Sequence, residues 1–503
     1  MSWWQNRYMK KILTTYFICT SFYLMAQTTE LKREIKYTAE VGTYISTDGN
    51  IPFWLRANQY GTVPLTSPIV TLGGSISSDY KKATTKEDQY KLSKFDWGYG
   101  LNIVGNVGKE NQFLIPEAYI KAKFGAFEIY AGRRKEIVGL VDSTLSSGSY
   151  IWSGNALPMP KIQIMNRDFV PLGITKGFLS FKGSFAHGWF ENDRTDVKNF
   201  YLHQKSLYFR LGKSDWKFKF YGGFNHQVQW GGELKYPDPD NLYAYKGKVG
   251  SSFNDYKNVI LGKSLGAEGD TSKVGLNEAT NRSGNHLGTI DFAFDLQVSN
   301  FSLLVYRQNI YDTGTLYFLS NITDGLNGFS ITNKKYNQSV LHIRKICFEY
   351  TNTYSQGGEQ NFSSTNDRLR GQVNYFNNAV YREGWVYNNR IIGTPFMTPV
   401  KESIYNYEST YGIGFNRFEA YFLGINLGIK NTVIESKLSY SQNYGFSGVN
   451  LLKKHINQFS GIVNIKFPVR FLDDSLLSCS VAYDKGELLN ESIGIYVGVH
   501  KKW

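Results

Sequence analysis

The sequence predicts an all-β protein, a transmembrane antiparallel up-and-down β-barrel of roughly 16–18 strands with long extracellular loops. Three observations predict it. Apolar and polar residues alternate with a period of two along most of the chain. The last twelve residues, Ser492 to Trp503, carry that alternation to the terminal residue. Aromatic residues make up 16% of the chain, an excess that suits girdles at two membrane interfaces and equally suits sugar-stacking surfaces.

The elements follow in chain order. Arg7, Lys10 and Lys11 form a basic start, Ile12 to Met25 is mostly apolar, and Ala26-Gln27 offers a cleavage point. This is the plan of a signal peptide, and the apolar run is too short and too Thr/Ser-broken to span a bilayer. Phe17 and Ile18 do not form the small-residue pattern expected before a lipidated cysteine at Cys19. Residues 1–26 are therefore expected to be an export signal, and 27–503 a single outer-membrane barrel domain. Beyond residue 26 no window approaches the roughly 18 consecutive apolar residues of a spanning helix. Strands carry apolar residues only at alternate positions, so a mean hydropathy of −0.35 fits a barrel.

Lys36 to Ser46 alternates weakly and reads as a strand. Ile51 to Gly61 is neither a clean strand nor a clean helix; it either plugs the periplasmic mouth or leads into the first long strand. Strand segments then recur at Tyr99–Val107, Glu117–Phe124, Phe127–Gly132, Leu179–Trp189, Leu207–Leu211 and Trp216–Trp230. In the last of these Trp216, Phe218, Phe220, Phe224 and Val228 share one face, with Lys217, Lys219, Asn225, Gln227 and Gln229 on the other. Thr289–Val298 is the clearest case, setting Ile290, Phe292, Phe294, Leu296 and Val298 against Asp291, Ala293, Asp295 and Gln297. Further segments are Glu419–Ile429, Ile434–Tyr444, Gly461–Phe467 and Ser478–Leu488. In Leu341–Tyr354 the apolar parity switches near Ile346, which points to a bulge or to an error of register. Tight turns at Gly125-Ala126, Gly212 to Asp215 and Ser299-Asn300 fit hairpin connectivity.

Three stretches break the pattern and read as long loops: 134–176, 231–285 and 356–410. A short helix is predicted over Asn254–Leu261, with Asn254 as its cap. The closing segment places Ile493, Ile495, Val497 and Val499 on one face against Ser492, Gly494, Tyr496, Gly498 and His500. A strand ending on an aromatic at this parity is similar to the closing strand of outer-membrane barrels.

Little in the chain points to catalysis. The net charge falls from +14 to +11 once Arg7, Lys10 and Lys11 are removed, and the basic residues are scattered, which excludes a nucleic-acid groove. Lipopolysaccharide phosphates and acidic polysaccharides are the expected anionic partners. Cys347 and Cys479 sit in strand-like runs and form no metal motif. Gly262-Lys-Ser-Leu-Gly266 matches a nucleophile-elbow pattern, but Ser264 lacks the strand before it and the helix after it. The seven histidines show no zinc spacing, and His226 falls on the apolar-parity face of its strand. Asp238 and Asp240 lie in a Pro-rich turn, where two carboxylates are more often solvated than calcium-bound. No catalytic residue, metal or cofactor is expected.

The richest segment is Asn374–Tyr387, which gathers amides, a cation, an anion and aromatic rings within fourteen residues. Such a set suits saccharide recognition, where ring faces meet C–H surfaces and planar polar groups meet hydroxyls. It suits equally a loop packed onto a barrel wall.

Taken together, Pro52–Gly61, Ser153–Ile162, Asn225–Gly232, Tyr306–Tyr311, Asp324–Gly328, the Asn374–Tyr387 segment and Ile392–Phe396 carry a resemblance. Over nearly the whole mature chain, the sequence resembles the Wzi-type capsule assembly proteins of the gram-negative outer membrane. The resemblance implies a lectin-like barrel with an occluded lumen that binds exported capsular or exopolysaccharide and helps assemble or anchor it at the cell surface. It also implies a small helical bundle on the periplasmic side, although no clear amphipathic helix is visible here. On this reading Tyr375, Tyr381, Trp385 and Tyr387 stack on sugar rings, Asn374, Asn377 and Asn378 bond hydroxyls, and Arg382 pairs with uronate or phosphate groups. The barrel is expected to act as a monomer among outer-membrane lipids. A diffusion channel or porin is the alternative; an outer-membrane enzyme and a secreted sandwich stand further off.

Overall fold

The computed structural model describes residues 33–82, 92–263, 275–276, 282–312, 316–358, 373–405, 409–445, 455–472 and 475–503. The expected export signal and Ser264 lie outside these residues.

Eighteen antiparallel strands form the wall, each paired with its sequence neighbour. They are β1 Ile35–Ser46, β2 Ile69–Ser78, β3 Phe95–Gly108, β4 Gln112–Phe124, β5 Phe127–Arg133 and β6 Lys161–Asn166. Next come β7 Leu179–Trp189, β8 Tyr201–Leu211, β9 Phe218–Trp230, β10 Asn285–Val298, β11 Phe301–Tyr311 and β12 Gly325–Asn333. The last six are β13 His342–Asn352, β14 Phe418–Ile429, β15 Thr432–Asn443, β16 Ile456–Val469, β17 Ser475–Gly486 and β18 Ser492–Lys502. The ring closes between β1 and β18, in register from Thr38 opposite Lys502 to Ser46 opposite Gly494. Trp503 adds a further backbone pair with Tyr37, at 3.0 and 3.3 Å.

Alternation gives the wall its two faces. Along β18, Ile493, Ile495 and Val497 are each more than 40% exposed, whereas Ser492, Gly494 and Tyr496 are buried. Phe218, Phe220, Phe224, Ile290, Phe292 and Val298 face outward in the same way. Outward apolar residues around a closed sheet, with no unpaired edge, are what a hydrocarbon environment requires. No helix of the described residues is long and apolar enough to cross a membrane.

The two ends differ. At the rim where β1 starts and β18 ends, β4–β5, β10–β11 and β14–β15 are joined by two-residue turns. At the other rim the connections include 47–68, 134–160, 231–284 and 353–417. In barrels of this type the long loops lie outside the cell and the short turns face the periplasm.

Several expectations are corrected in detail. The stretch 134–176 is not one loop, because Lys161–Asn166 is a wall strand. Its alternation, Ile162 and Ile164 outward against Lys161 and Gln163 inward, is only six residues long and does not stand out in sequence. The helix runs Phe253–Leu261 and is capped by Ser252, whose hydroxyl accepts from Asp255 N while the Asp255 carboxylate accepts from Ser252 N, a capping box. It packs outside the wall at the loop end, where Tyr256 stacks on Trp230 at 4.9 Å. That cover explains why the outward-facing Val228 and His226 are buried. The parity switch is a bulge in β13 between Ile343 and Lys345.

The segment Ile51–Gly61 plugs the barrel, but from the loop end. β1 rises away from the rim where β18 ends, so the chain leaves Ser46 at the far rim and turns back into the lumen, with Phe53–Arg56 as a one-turn helix. Both described α-helices belong to loop-end connections, and of helical structure the turn end carries only the 3-10 turns Gly173–Thr175 and Arg470–Leu472 among the described residues.

Candidate functional site

Inward parity supplies mainly small and polar side chains, and three loop-end connections use them as hydrogen-bond partners. From the first, Trp54 is 2% exposed and donates its indole N–H to Ser439 Oγ on β15 at 3.0 Å. Phe53 N donates to Asp484 on β17 at 2.8 Å. From the second, Leu140 N, Ser147 N and Tyr150 N donate to Asp291, Glu349 and Gln308 on β10, β13 and β11, at 2.7–2.9 Å. On the opposite side of this segment the Lys161 ammonium of β6 lies 4.6 Å above the Trp152 ring. The first two segments join each other, Asn58 N to Asn155 Oδ1 at 3.0 Å and Tyr60 N to Gly154 O at 2.8 Å. The third connection sits on them through Thr394 N to Tyr150 O at 2.8 Å. Gly393 permits that approach, since a Cβ there would overlap the Tyr150 carbonyl and the Phe376 ring.

These contacts cross the lumen from β15 and β17 to β6, β10, β11 and β13, and a continuous core fills the space between. Trp54 packs on Phe396 and Phe422, and Tyr150 meets Phe376 edge-on at 5.4 Å. The plug therefore folds as a small hydrophobic interior inside a polar ring.

Two charged clusters pin it. Asp142 accepts from Lys345 Nζ at 2.8 Å, from Ser330 Oγ at 2.7 Å and from Thr144 Oγ1 at 2.7 Å. Burial alone would push its carboxyl up, but these donors outweigh burial and hold it at about 2. Glu402 sits buried between Arg56, in close contact, and Arg390 at 3.3 Å. Burial opposes its charge there too, and the two guanidinium groups win, leaving its carboxyl below the ordinary range.

Above the plug, on the loop face, a cleft of about 420 Å³ opens between the connections 190–200, 231–284 and 353–417. The Arg382 guanidinium lies 3.5 Å over the Tyr236 ring and 5.6 Å from that of Tyr243, a cation–π seat that fixes it at the cleft wall. Tyr236 is fixed in turn by donating to Val380 O at 3.0 Å, and burial raises its hydroxyl to about 12 against the pull of Arg382. Glu383 accepts from Thr195 N at 2.6 Å and Thr195 Oγ1 at 2.7 Å. Lys401 is exposed at the same cleft. Arg194, by contrast, is buried and bound through two nitrogens to Asp196, at 3.0 and 3.1 Å. It fastens the cleft floor and offers nothing to solvent.

The segment Asn374–Tyr387 thus divides. Tyr375, Tyr381, Trp385 and Tyr387 are at most 2% exposed. The hydroxyls of the first two donate to Asp324 at 2.8 Å and to Gly231 O at 2.9 Å, and Tyr387 accepts from Arg133 at 3.0 Å. Asn377 is buried and donates to Ile413 O at 3.0 Å. Asn374, Asn378 and Arg382 keep part of their surface in solvent. Tyr236 and Lys401 were not predicted, because lone loop residues far apart in sequence carry no spacing signal. Asp238, weighed as a cation ligand, instead accepts from Leu242 N, Tyr243 N and Ala244 N at 2.9–3.0 Å and caps its own turn. No cluster of metal-ligating residues occurs among the described residues.

The family described as capsule assembly protein Wzi matches residues 29–408. The chain belongs to this family. Among solved structures it is similar to Wzi of Escherichia coli, described as an outer-membrane, carbohydrate-binding β-barrel involved in group 1 capsule assembly. That likeness has a TM-score of 0.56 at 13% identity, covering 92% of this chain and 84% of that one. OprD of Pseudomonas aeruginosa aligns at a TM-score of 0.42 and 8% identity, over 95% of this chain and 97% of that chain. OccAB1 of Acinetobacter baumannii gives 0.44 and 9%, over 95% and 98%. No curated protein matches the sequence. The segments that carried the Wzi resemblance in sequence converge in space: Pro52–Gly61, Ser153–Ile162, Asn374–Tyr387 and Ile392–Phe396 all contribute to the plug or its supports.

Proposed function

We propose that this Wzi-family barrel sits in the outer membrane and binds exported anionic polysaccharide at its loop face, without catalysis, helping to hold the polymer at the cell surface. The observation that carries this reading is the cleft with Arg382 seated on Tyr236, beside Lys401, above a lumen filled by its own loops. Arg382 and Lys401 supply positive charge for uronate or phosphate groups. Asn374 and Asn378 keep part of their surface in solvent on the same segment, and Glu383, bonded to Thr195, lines the cleft. Tyr375, Tyr381, Trp385 and Tyr387 act from beneath, as the packed base that holds the charged edge of their segment in place, together with Asn377. A glycan bound at a rigid, preformed cleft loses less on ordering than one bound by a mobile loop.

The test is binding of the producing cell's own surface polysaccharide to the purified barrel, wild type against Arg382→Ala with Lys401→Ala. The double variant is expected to lose most of the affinity, and the wild-type affinity to fall as salt is raised. Unchanged binding in the double variant sinks this placement.

A further inference from the structure

A second feature lies on the opposite surface of the wall, facing lipid. On β11 the outward residues run Phe301, Leu303, Val305, Arg307, Asn309 and Tyr311 toward the loop end. Val305 is paired with Phe294 on β10 and Phe329 on β12. The flanking strands carry aromatic ridges, Phe220 beside Phe292 at 6.3 Å on one side and Phe329 beside Phe348 at 5.8 Å on the other. Between the ridges the smaller Leu303 and Val305 leave an open trough of about 550 Å³.

Arg307 closes the trough at its loop-side end. Its nearest neighbours across the two strand pairs are Phe292 and Asn327. Ile290, two residues nearer the loops than Phe292, is still an exposed apolar residue, so the guanidinium lies within the apolar band and not above it. A cation at this place needs a reason. Arg307 donates to Asn309 Oδ1 at 2.7 Å, to Asn327 Oδ1 at 2.5 Å and to the backbone carbonyls of Ile322 and Asp324. All these partners are neutral oxygens. The Asp324 carboxylate acts on Arg307 through its charge but spends its own hydrogen bonds on Tyr375 and on the backbone of Ser355 and Gln356. Asn309 and Asn327 hold the guanidinium in one orientation without cancelling its charge. An oriented guanidinium with no carboxylate among these hydrogen-bond partners, set above an apolar trough, is complementary to an acyl chain that carries an anion at its head.

We propose that this trough is a binding site for a phosphorylated, acylated glycolipid of the outer leaflet. An acyl chain lies along Leu303 and Val305 between the phenylalanine ridges, and a phosphate of the head group meets Arg307. The polarity of the site selects the leaflet: the cation is at the loop side and the trough runs toward the turn side, so the lipid head points out of the cell. The site is separate from the glycan cleft and does not depend on it.

The experiment measures lipid retained by the full-length barrel after exchange into neutral detergent, by native mass spectrometry. Phosphorylated lipid A is offered to the wild type, to Arg307→Gln and to Val305→Trp, which fills the trough while leaving the guanidinium. Wild type is expected to retain the lipid, and each variant to retain about tenfold less, with glycan binding unchanged. Dephosphorylated lipid A on the wild type should match the Arg307→Gln result, an arm that requires no variant to fold. Equal retention by all three proteins overturns the site. Equal retention of phosphatidylglycerol and phosphorylated lipid A by the wild type overturns its assignment to a glycolipid.

Discussion

The carboxylate of Glu402 is hydrogen-bonded to the guanidinium of Arg56, a residue 346 positions earlier in the chain. Arg390 completes the cluster from the other side of the same carboxylate and donates on to Val63 O at 2.9 Å. Three pieces of loop are tied at one buried point by charges that have no solvent to fall back on. Burying an ion pair is a poor source of net stability, but removing one member of such a cluster is costly.

Glu402→Gln is therefore expected to weaken the plug by about 3–5 kcal/mol, because two guanidinium groups are left buried side by side. Planar-bilayer recording is the sensitive readout. The wild-type barrel should be nearly silent and the variant should show transient openings, while the wall keeps its heat-modifiable gel migration. A silent variant with wild-type resistance to proteolysis of residues 47–68 refutes this role.

Asp142 links the second plug segment to β12 and β13, and its carboxyl is held at about 2, below its ordinary 3.8. A depressed acid stabilises the fold above its unfolded pKa and loses that contribution as pH falls through the folded one. The contribution at neutral pH is roughly 2 kcal/mol, and it should vanish between about pH 4 and pH 2. Tryptophan fluorescence during acid titration follows it through Trp152. Asp142→Asn should already lack this stability at neutral pH and flatten that part of the curve.

Trp385 and Arg382 should separate packing from binding. Trp385→Ala removes a ring that is 1% exposed, and is expected to destabilise the plug by about 3–5 kcal/mol. Its effect on polysaccharide binding follows from that loss and should be relieved in Trp385→Phe. Arg382→Ala should weaken binding with no change in urea midpoint. If Trp385→Phe binds as poorly as Arg382→Ala while remaining stable, the ring touches the glycan directly.

At the seam, the Tyr496 hydroxyl donates to Glu40 at 2.7 Å, and its ring packs on Tyr44 and over Gly42. A Cβ at Gly42 would overlap that ring. Gly42→Val is expected to leave a larger fraction of the protein unclosed after refolding, seen as loss of the fast-migrating form in unboiled gels. Adding Tyr496→Ala should restore part of it. Full closure of Gly42→Val alone argues that the ring can move aside without penalty.

The wall was legible in sequence because its signal is local: a strand facing lipid on one side must alternate, as β10 does from Ile290 to Val298 and β18 from Ser492 to Val499. β6 does not stand out because six residues give too few alternations; β2, β11 and β12 do not stand out either, because Gly73-Gly74, the run Leu303-Leu304-Val305 and the glycines Gly325 and Gly328 blur theirs. The plug was not legible as a plug. Trp54, Tyr150 and Phe396 meet from separate connections, and nothing in their spacing records a contact made across the lumen. The same limit applies to the cleft. Arg382 stood out beside its aromatic neighbours, but its seat on Tyr236 is a meeting of two loops, and only coordinates reveal which rings face solvent and which face inward.

The β1–β18 seam also sets an order of events. Tyr496 and Glu40 are 456 residues apart, so the ring cannot close until the chain has been made through to β18. The segment 51–61 follows directly after β1 and is among the first parts to leave the ribosome, yet its berth between β15, β17 and β18 is among the last to exist. The earliest-made piece of interior must wait, unshielded, for the latest-made piece of wall. Phe53 and Trp54 reach their buried places only once that wall stands.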